Sequence, residues 1–153
     1  MSQCCGKIPG EDDCEAIKSS IVQGNTFQGD IGERVAAEVA TERLNLTPEF
    51  FDPPKNGFDS VYRDRAGRLV IVESKFTEKS GLSSLAMTNH GRQGSVEWVE
   101  YNARLMCDPT SSRYTPDNAK IGAEILRVGA ENVSVVLIHT DPSTLNTETQ
   151  KIR

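Results

Sequence analysis

The chain has 153 residues, of which 37% are hydrophobic and 25% are charged, and its formal net charge is −5. This length and composition predict one globular domain with its own hydrophobic core. No run of residues has the apolar length of a membrane span, and no basic, apolar leader opens the chain, so we expect neither a membrane protein nor a secretory signal. The charge is unevenly distributed along the chain. Residues 60–113 hold 8 basic and 6 acidic side chains and are therefore net positive, unlike the chain as a whole, which permits a phosphate-rich partner at that segment.

The first 28 residues are polar, and we expect a lead-in segment or a weak helix there, followed by a single domain over residues 29–153. The weak helical pattern covers residues 14–22. The four cysteines do not have the spacing of a zinc site, so free thiols are expected, and a disulfide stays an open alternative. These cysteines are Cys4, Cys5, Cys14 and Cys107.

Residues 30–46 have the apolar periodicity of an amphipathic helix. Asp30 has the position of an N-cap, and Glu33, three residues later, has that of its partner in a capping box. Prolines at positions 48, 53 and 54 predict the end of the helix and a stiff connector into the first strand.

A predicted hairpin follows, with strand-like runs over residues 57–63 and 68–76 on either side of the turn sequence Asp-Arg-Ala-Gly. A turn centred near Ala66 places Asp59 opposite Glu73, so that their Cβ atoms are about 5 Å apart. Because side chains alternate along a strand, Lys75 shares a face with Glu73. The hairpin therefore predicts two carboxylates and an ammonium group at the end of one strand.

Two carboxylates at this separation repel each other unless a positive charge lies between them. A divalent metal ion beside Lys75 would supply that charge. The alternative is a set of solvated charges at a sheet edge, but the run Leu-Val-Ile-Val before Glu73 is apolar on both faces, which is typical of a buried strand. Charges that continue a buried strand are expected to be paired or to bind metal.

The rest of the chain predicts a loop over residues 77–91, helices over 93–106 and 117–128, and a buried strand over 132–139. For residues 140–153, a loop, a short edge strand and a frayed tail are all compatible with the sequence. The order of elements favours an α/β fold in which a central mixed β-sheet is flanked by α-helices. The strand at 132–139 is expected to pair in parallel with the strand at 68–76 through a crossover connection.

Phosphodiester hydrolysis requires a hard cation, oxygen ligands, a water nucleophile and neutralisation of charge. Asp59 and Glu73 are suitable ligands for Mg²⁺ or Mn²⁺, and Lys75 is placed to orient the water or to stabilise the phosphorane-like transition state. Glu33 would complete the ligand shell if its helix packs against the hairpin.

This set of residues resembles the PD-(D/E)XK nuclease superfamily, whose members have the restriction-endonuclease-like fold. The resemblance runs from about Gly29 to His139 and implies that Asp59, Glu73 and Lys75 are the motif residues. Glu33 matches the acidic residue that many members carry on the first core helix. Phe58 stands where the motif has proline, a departure that many members share.

A second resemblance is to the nuclease domains at the C-termini of bacterial polymorphic and contact-dependent toxins. It rests on Gly-Phe-Asp-Ser-Val-Tyr, Ile-Val-Glu-Ser-Lys and then Gln-Gly-Ser-Val-Glu-Trp-Val over residues 93–99. It implies that Gln93 supports the catalytic site, that Trp98 packs beneath it and that a cognate immunity protein binds the domain. The alternatives are a polar residue at a helix start for Gln93 and an ordinary core residue for Trp98.

We therefore expect a metal-dependent nuclease, with DNA preferred over RNA as the substrate. It is expected to act in the cytoplasm, delivered there within a larger toxin if the toxin resemblance holds. RNA or tRNA cleavage and a non-catalytic protein-interaction module are the alternatives. His90 and several basic residues are placed to touch phosphate, although solvated surface charge is the simpler interpretation for the basic residues. His139, at the end of a strand, is expected to be either structural or a loop residue. The basic residues are Arg63, Arg65, Arg68, Lys79 and Arg92.

Overall fold

A computed structural model of the chain describes residues 27–54, 57–77 and 85–153. The predicted lead-in over residues 1–28 therefore lies outside the described residues except at its last two positions, and Lys79 and three of the four cysteines also lie outside them. The fourth, Cys107, is a free thiol. None of the helices in the described ranges is long and apolar enough to cross a membrane.

Helices make up much of the described chain. We number the α-helices in chain order as α1 (Phe27–Glu38), α2 (Val96–Cys107) and α3 (Pro116–Val128). The helix α1 continues into a π-helical segment (Val39–Arg43), and a short 3-10 helix (Ala130–Asn132) follows α3.

Seven strands occur in the described ranges. They are β1 (Thr47–Pro48), β2 (Ser60–Arg63), β3 (Leu69–Phe76), β4 (Met87–Thr88), β5 (Gly91–Arg92), β6 (Ser134–Thr140) and β7 (Thr147–Lys151). Five of them form one sheet in the order β1-β2-β3-β6-β7, while β4 and β5 pair with each other.

The large sheet is mixed, because β3 and β6 pair in parallel and its other neighbours pair antiparallel. The predicted mixed α/β class and the predicted parallel pairing are both confirmed. The segment after β6 contains an edge strand, β7, which selects one of the three alternatives left open by the sequence. The strand β1 was not predicted, because proline ordinarily argues against a strand. Pro48 is tolerated here because β1 lies at the edge of the sheet.

Two predicted helix starts are wrong. Asp30 lies inside α1, which covers Phe27–Glu38, so it is not the N-cap of this helix. Residues 27–30 contain no proline that would end a helix, so α1 extends past Asp30 toward the N-terminus despite the N-cap preference of aspartate. The helix α2 begins at Val96 rather than at residue 93, because Gly94 has a φ of 88° and Ser95 caps the helix by accepting the N–H of Trp98 at 3.2 Å.

The large sheet separates two hydrophobic clusters. Ile71 and Val61 pack with α2 and α3 on one face, while Val70 and Val72 pack with α1 on the other. This alternation along β3 is the period-two pattern of a strand buried on both sides. Glu73 follows Ile71 by two residues, so its side chain lies on the face covered by α2 and α3.

The turn between β2 and β3 is stabilised by Asp64, whose Oδ1 accepts the backbone N–H groups of Ala66 at 2.9 Å and Arg68 at 3.0 Å. Gly67 supplies a φ of 80°, which few other residues adopt. These local bonds set the register of the hairpin, in which Ser60 pairs with Val72.

Arg63, at the end of β2, holds the hairpin to α3. Its guanidinium donates two hydrogen bonds of 2.9 Å to Glu124 and one of 2.6 Å to Glu49. The two carboxylates raise the pKa of Arg63, and the hydrogen bond to Glu124 is the largest contribution. Arg63 is thus committed to an intramolecular ion-pair network, neither a solvated surface charge nor a phosphate contact.

Replacing Arg63 with Ala should lower the free energy of unfolding by about 1–2 kcal/mol, because two half-buried carboxylates lose their partner. For a chain of this size, that change lowers the Tm by about 2–8 °C. Thermal unfolding followed by circular dichroism measures it. Arg65→Ala, at the exposed tip of the same turn, is the matched control and should leave the Tm unchanged; an equal Tm for both variants would contradict the role of the network.

Candidate active site

Asp59 and Glu73 lie side by side at the end of the β2–β3 hairpin. The backbone N–H of Asp59 donates to Glu73 Oε2 at 3.0 Å, and the backbone N–H of Ser74 donates to Asp59 Oδ2 at 2.9 Å. The predicted opposition of the two acidic residues is confirmed, since the observed pairing of Ser60 with Val72 places Asp59 next to Glu73. The two reciprocal bonds fix one oxygen of each carboxylate.

Glu73 is fully buried, with 0% of its surface exposed, and no described donor lies within hydrogen-bonding distance of its Oε1. Burial raises the pKa of Glu73 well above its usual value, and the nearby charge of Asp59 raises it further. Burial also raises the pKa of Asp59, although hydrogen bonds from Ser74 and the charge of Lys75 oppose that shift. In the absence of a cation, the pair therefore resists carrying two negative charges.

Lys75 lies two residues beyond Glu73 and, by strand alternation, on the same face of β3. Its positive charge lowers the pKa of both carboxylic acids, which places the ammonium within electrostatic reach of the pair. The side chain is half-buried, so part of it is accessible to a bound molecule.

His139 is the residue of β6 that pairs with Lys75. It is buried, and its Nε2 is 2.6 Å from the backbone carbonyl oxygen of Thr77. Because a carbonyl only accepts, Nε2 carries the proton of this bond. The contact holds the end of β3 against β6 and agrees with the structural role expected for His139.

A small cavity of about 140 Å³ continues this face of the sheet beyond Glu73 and Lys75. Its walls are formed by Leu137 and His139 of β6 and by Glu148 and Gln150 of β7. Sequence reasoning did not find the two residues of β7, because Thr-Glu-Thr-Gln-Lys has no apolar alternation that marks a strand.

The structure does not bring Glu33 into the same group. Gly32 packs on the α1 side of the sheet, where an added Cβ would lie 2.8 Å from Phe76 Cβ, and the neighbouring Glu33 is exposed. Over the described part of the chain, no three His, Cys, Asp or Glu side chains are placed to hold one metal ion. Asp59 and Glu73 thus form a carboxylate pair, and Glu33 lies outside it.

Gln93 lies ahead of α2 and organises the loop in front of it. Its Oε1 accepts the N–H of Ala86 at 2.9 Å, and its own N–H donates to the carbonyl of Ala86 at 2.9 Å. Trp98, on the first turn of α2, is buried with its ring 5.3 Å from that of Phe58, the residue before Asp59. Gln93 supports a loop and Trp98 packs behind Asp59.

The donor set of the pair fits a hard divalent cation. A buried carboxylate oxygen without a described partner and a like-charged neighbour are both satisfied by one such ion. Mg²⁺ in proteins commonly takes only one or two carboxylates and completes its coordination with water and substrate phosphate. Two ligands are therefore enough for such a site.

Comparisons with known proteins leave the function to be argued from these residues. No family model matches the chain, and neither a curated protein nor a solved structure matches it. The geometry of the carboxylate pair and its surroundings is consequently the basis of the functional argument.

Replacing Glu73 with Gln should stabilise the metal-free protein at neutral pH. The raised pKa of Glu73 means that the native state binds its proton more tightly than the unfolded state, so stability is lost as the pH rises through the native pKa. Melts in chelator should show a Tm for Glu73→Gln at least about 2 °C above wild type at pH 7.5.

This advantage of Glu73→Gln should shrink at pH 4.5, where the wild-type carboxyl binds its proton. Glu42→Gln removes an exposed carboxylate on the π-helical segment and is the matched control, expected to show no such pH-dependent difference. A Glu73→Gln protein less stable than wild type at pH 7.5 would contradict the burial of an uncompensated charge.

Proposed function

We propose that this domain is a metal-dependent nuclease that hydrolyses phosphodiester bonds. The observation that carries the proposal is the pair of Asp59 and Glu73, held together by backbone hydrogen bonds, with one buried oxygen unpaired among the described residues and Lys75 beside it. Perturbed pKa values in such a cluster are typical of functional sites.

We further propose that the fold is restriction-endonuclease-like. In support, α1 covers one face of the mixed sheet, α2 and α3 cover the other, and the acidic residues lie at the end of a hairpin in its centre. The sequence Glu-Ser-Lys lies on β3, the central strand, as the resemblance to PD-(D/E)XK nucleases implies.

Each residue of the site has a distinct task in this proposal. Asp59 and Glu73 hold Mg²⁺ or Mn²⁺, which when bound supplies Lewis-acid activation of water and neutralises phosphate charge. The Lys75 ammonium binds the scissile phosphate and stabilises the charge that develops on its oxygens. The bonds from Asp59 N–H and Ser74 N–H keep the two carboxylates oriented before substrate arrives. Glu33, exposed on α1, and Gln93, which orders the loop ahead of α2, act from outside this pair.

Nucleic acid is the partner in this proposal, with DNA as the first substrate to test and RNA as the second. The proposed toxin origin adds a cognate immunity protein as a second partner and the cytoplasm of a target cell as the place of action. A protein-interaction module without catalysis is the competing function, and metal-dependent cleavage separates it from a nuclease.

Lys75→Ala should lower the rate of cleavage by at least about 100-fold, because a preorganised positive charge at the transition state is lost. Cleavage of plasmid DNA, a single-stranded oligonucleotide and a structured RNA in Mg²⁺ measures it. Lys120→Ala removes an exposed lysine of α3 and should leave the rate within about twofold of wild type. Cleavage by Lys75→Ala at the wild-type rate would refute the role of Lys75.

Cation binding should be visible without any substrate. At ten times its dissociation constant, Mg²⁺ or Mn²⁺ should raise the Tm of wild type by about 3–6 °C, because the ion binds the native state and relieves the repulsion between Asp59 and Glu73. Differential scanning fluorimetry should show a much smaller rise for Asp59→Asn and Glu73→Gln, and the wild-type rise for Glu42→Gln. An equal rise in all four proteins would place the ion elsewhere.

A further inference from the structure

A second and larger cavity, of about 400 Å³, lies between the β4–β5 hairpin and α2, and we call it the hairpin cavity. It has the volume of a small-molecule site. Its wall includes His90, Gln93, Trp98, Tyr101, Asn102 and Arg113.

The hairpin cavity lies beside the carboxylate pair. An added Cβ at Gly57 would be 3.6 Å from Arg113 Nε, and Gly57 precedes Asp59 by two residues, which span at most about 7 Å of chain. On the same side, the ring of Trp98 contacts that of Phe58. The wall of the cavity at Arg113 therefore lies within about 12 Å of Asp59, so one strand of nucleic acid can contact both.

Asn102 gives this cavity a specific polar requirement. The side chain is 1% exposed, and its Nδ2 donates to the carbonyl of Trp98 at 2.9 Å. Because that carbonyl only accepts, the orientation of the amide is settled and Oδ1 is the atom left over. No described donor lies within hydrogen-bonding distance of Oδ1. A molecule that places an N–H group against Asn102 would satisfy it.

Planar groups form another part of the wall. The rings of His90 and Tyr101 are stacked, with centroids 3.5 Å apart and planes 9° from parallel, and Arg113 Cζ lies 5.9 Å from the centre of Tyr101. Stacked aromatic and guanidinium planes are the surfaces on which proteins bind unstacked bases. His90 is exposed, so its outer side is accessible.

We propose that the hairpin cavity is a subsite for one unpaired nucleobase of the strand that is cleaved, which makes single-stranded regions of nucleic acid the substrate. This inference rests on the proposed nuclease function. Every base carries an N–H group on its Watson–Crick edge that can donate to Asn102 Oδ1. Every base also has a planar face that can stack on the His90–Tyr101 pair. In a duplex that edge is paired, so the subsite rejects paired strands.

The test measures binding in chelator, so that no cleavage is required. Fluorescence anisotropy gives the Kd of fluorescein-labelled 12-nucleotide single strands of DNA and of RNA and of a duplex of the same sequence. Asn102→Leu and His90→Ala should each weaken single-strand binding about fivefold or more and leave duplex binding unchanged. Phe50→Ala removes an aromatic ring that is 74% exposed and lies away from the cavity, and it should bind like wild type.

An abasic scan identifies the contact itself. Moving one abasic residue along the single strand should locate a position that weakens wild-type binding about fivefold or more, and at that position Asn102→Leu should cause no further loss. Whether the DNA or the RNA series shows this pattern identifies the natural strand.

Three results would each overturn the subsite. The first is a duplex that binds as tightly as the single strand, and the second is an additive loss of affinity from Asn102→Leu and the abasic residue. The third is a single-strand Kd for both Asn102→Leu and His90→Ala that equals the Kd of the control Phe50→Ala. Asn102→Leu keeps the volume of the side chain, and His90→Ala alters an exposed loop residue, so both variants should fold with a Tm near that of wild type. A thermal melt of each variant checks this alongside its Kd. Failure of the nuclease proposal is a separate result, namely single-strand binding at the subsite with no cleavage when Mg²⁺ or Mn²⁺ is restored.

Discussion

Asp59 and Glu73 repel each other at a corner of the sheet where Glu73 is fully buried and Asp59 is half-buried, and no ion pair among the described residues offsets that repulsion. The surroundings hold the two groups together all the same. Glu73 accepts the backbone N–H of Asp59, and Asp59 accepts that of Ser74, so neither carboxylate can turn away without losing a hydrogen bond. A positive charge beside the pair would therefore be stabilising, and the nearby charge of Lys75 supplies part of that stabilisation.

The remaining architecture keeps this corner of the sheet rigid. The turn at Asp64 sets the hairpin register, and the Arg63 network ties the far end of β2 to α3. On the other side, His139 holds the end of β3 to β6. Trp98 contacts both sites. Its ring packs against Phe58, the residue before Asp59, and its backbone carbonyl accepts a hydrogen bond that orients Asn102. The carboxylate pair and the hairpin cavity therefore share a single support.

The hairpin and its acidic pair could be predicted because they depend on local rules, namely turn chemistry and the alternation of side chains along a strand. The position of Glu33 could not, since it depends on which face of the sheet α1 covers. Asn102 was missed because a polar residue in a helix is ordinarily solvated, whereas the folded protein buries this side chain. The strand β7 lacks an apolar pattern and forms only because β6 offers it an edge.

The parallel pairing of β3 with β6 has a consequence for the order of folding. Asp59 and Glu73 meet through a contact 14 residues apart in the chain, but the strand that encloses them, β6, begins about sixty residues after Glu73. The hairpin can thus form while its acidic groups are still hydrated, and the cost of dehydrating them arises when β6 docks. A cation that binds the dehydrated pair therefore stabilises the docked, native arrangement more than the isolated hairpin.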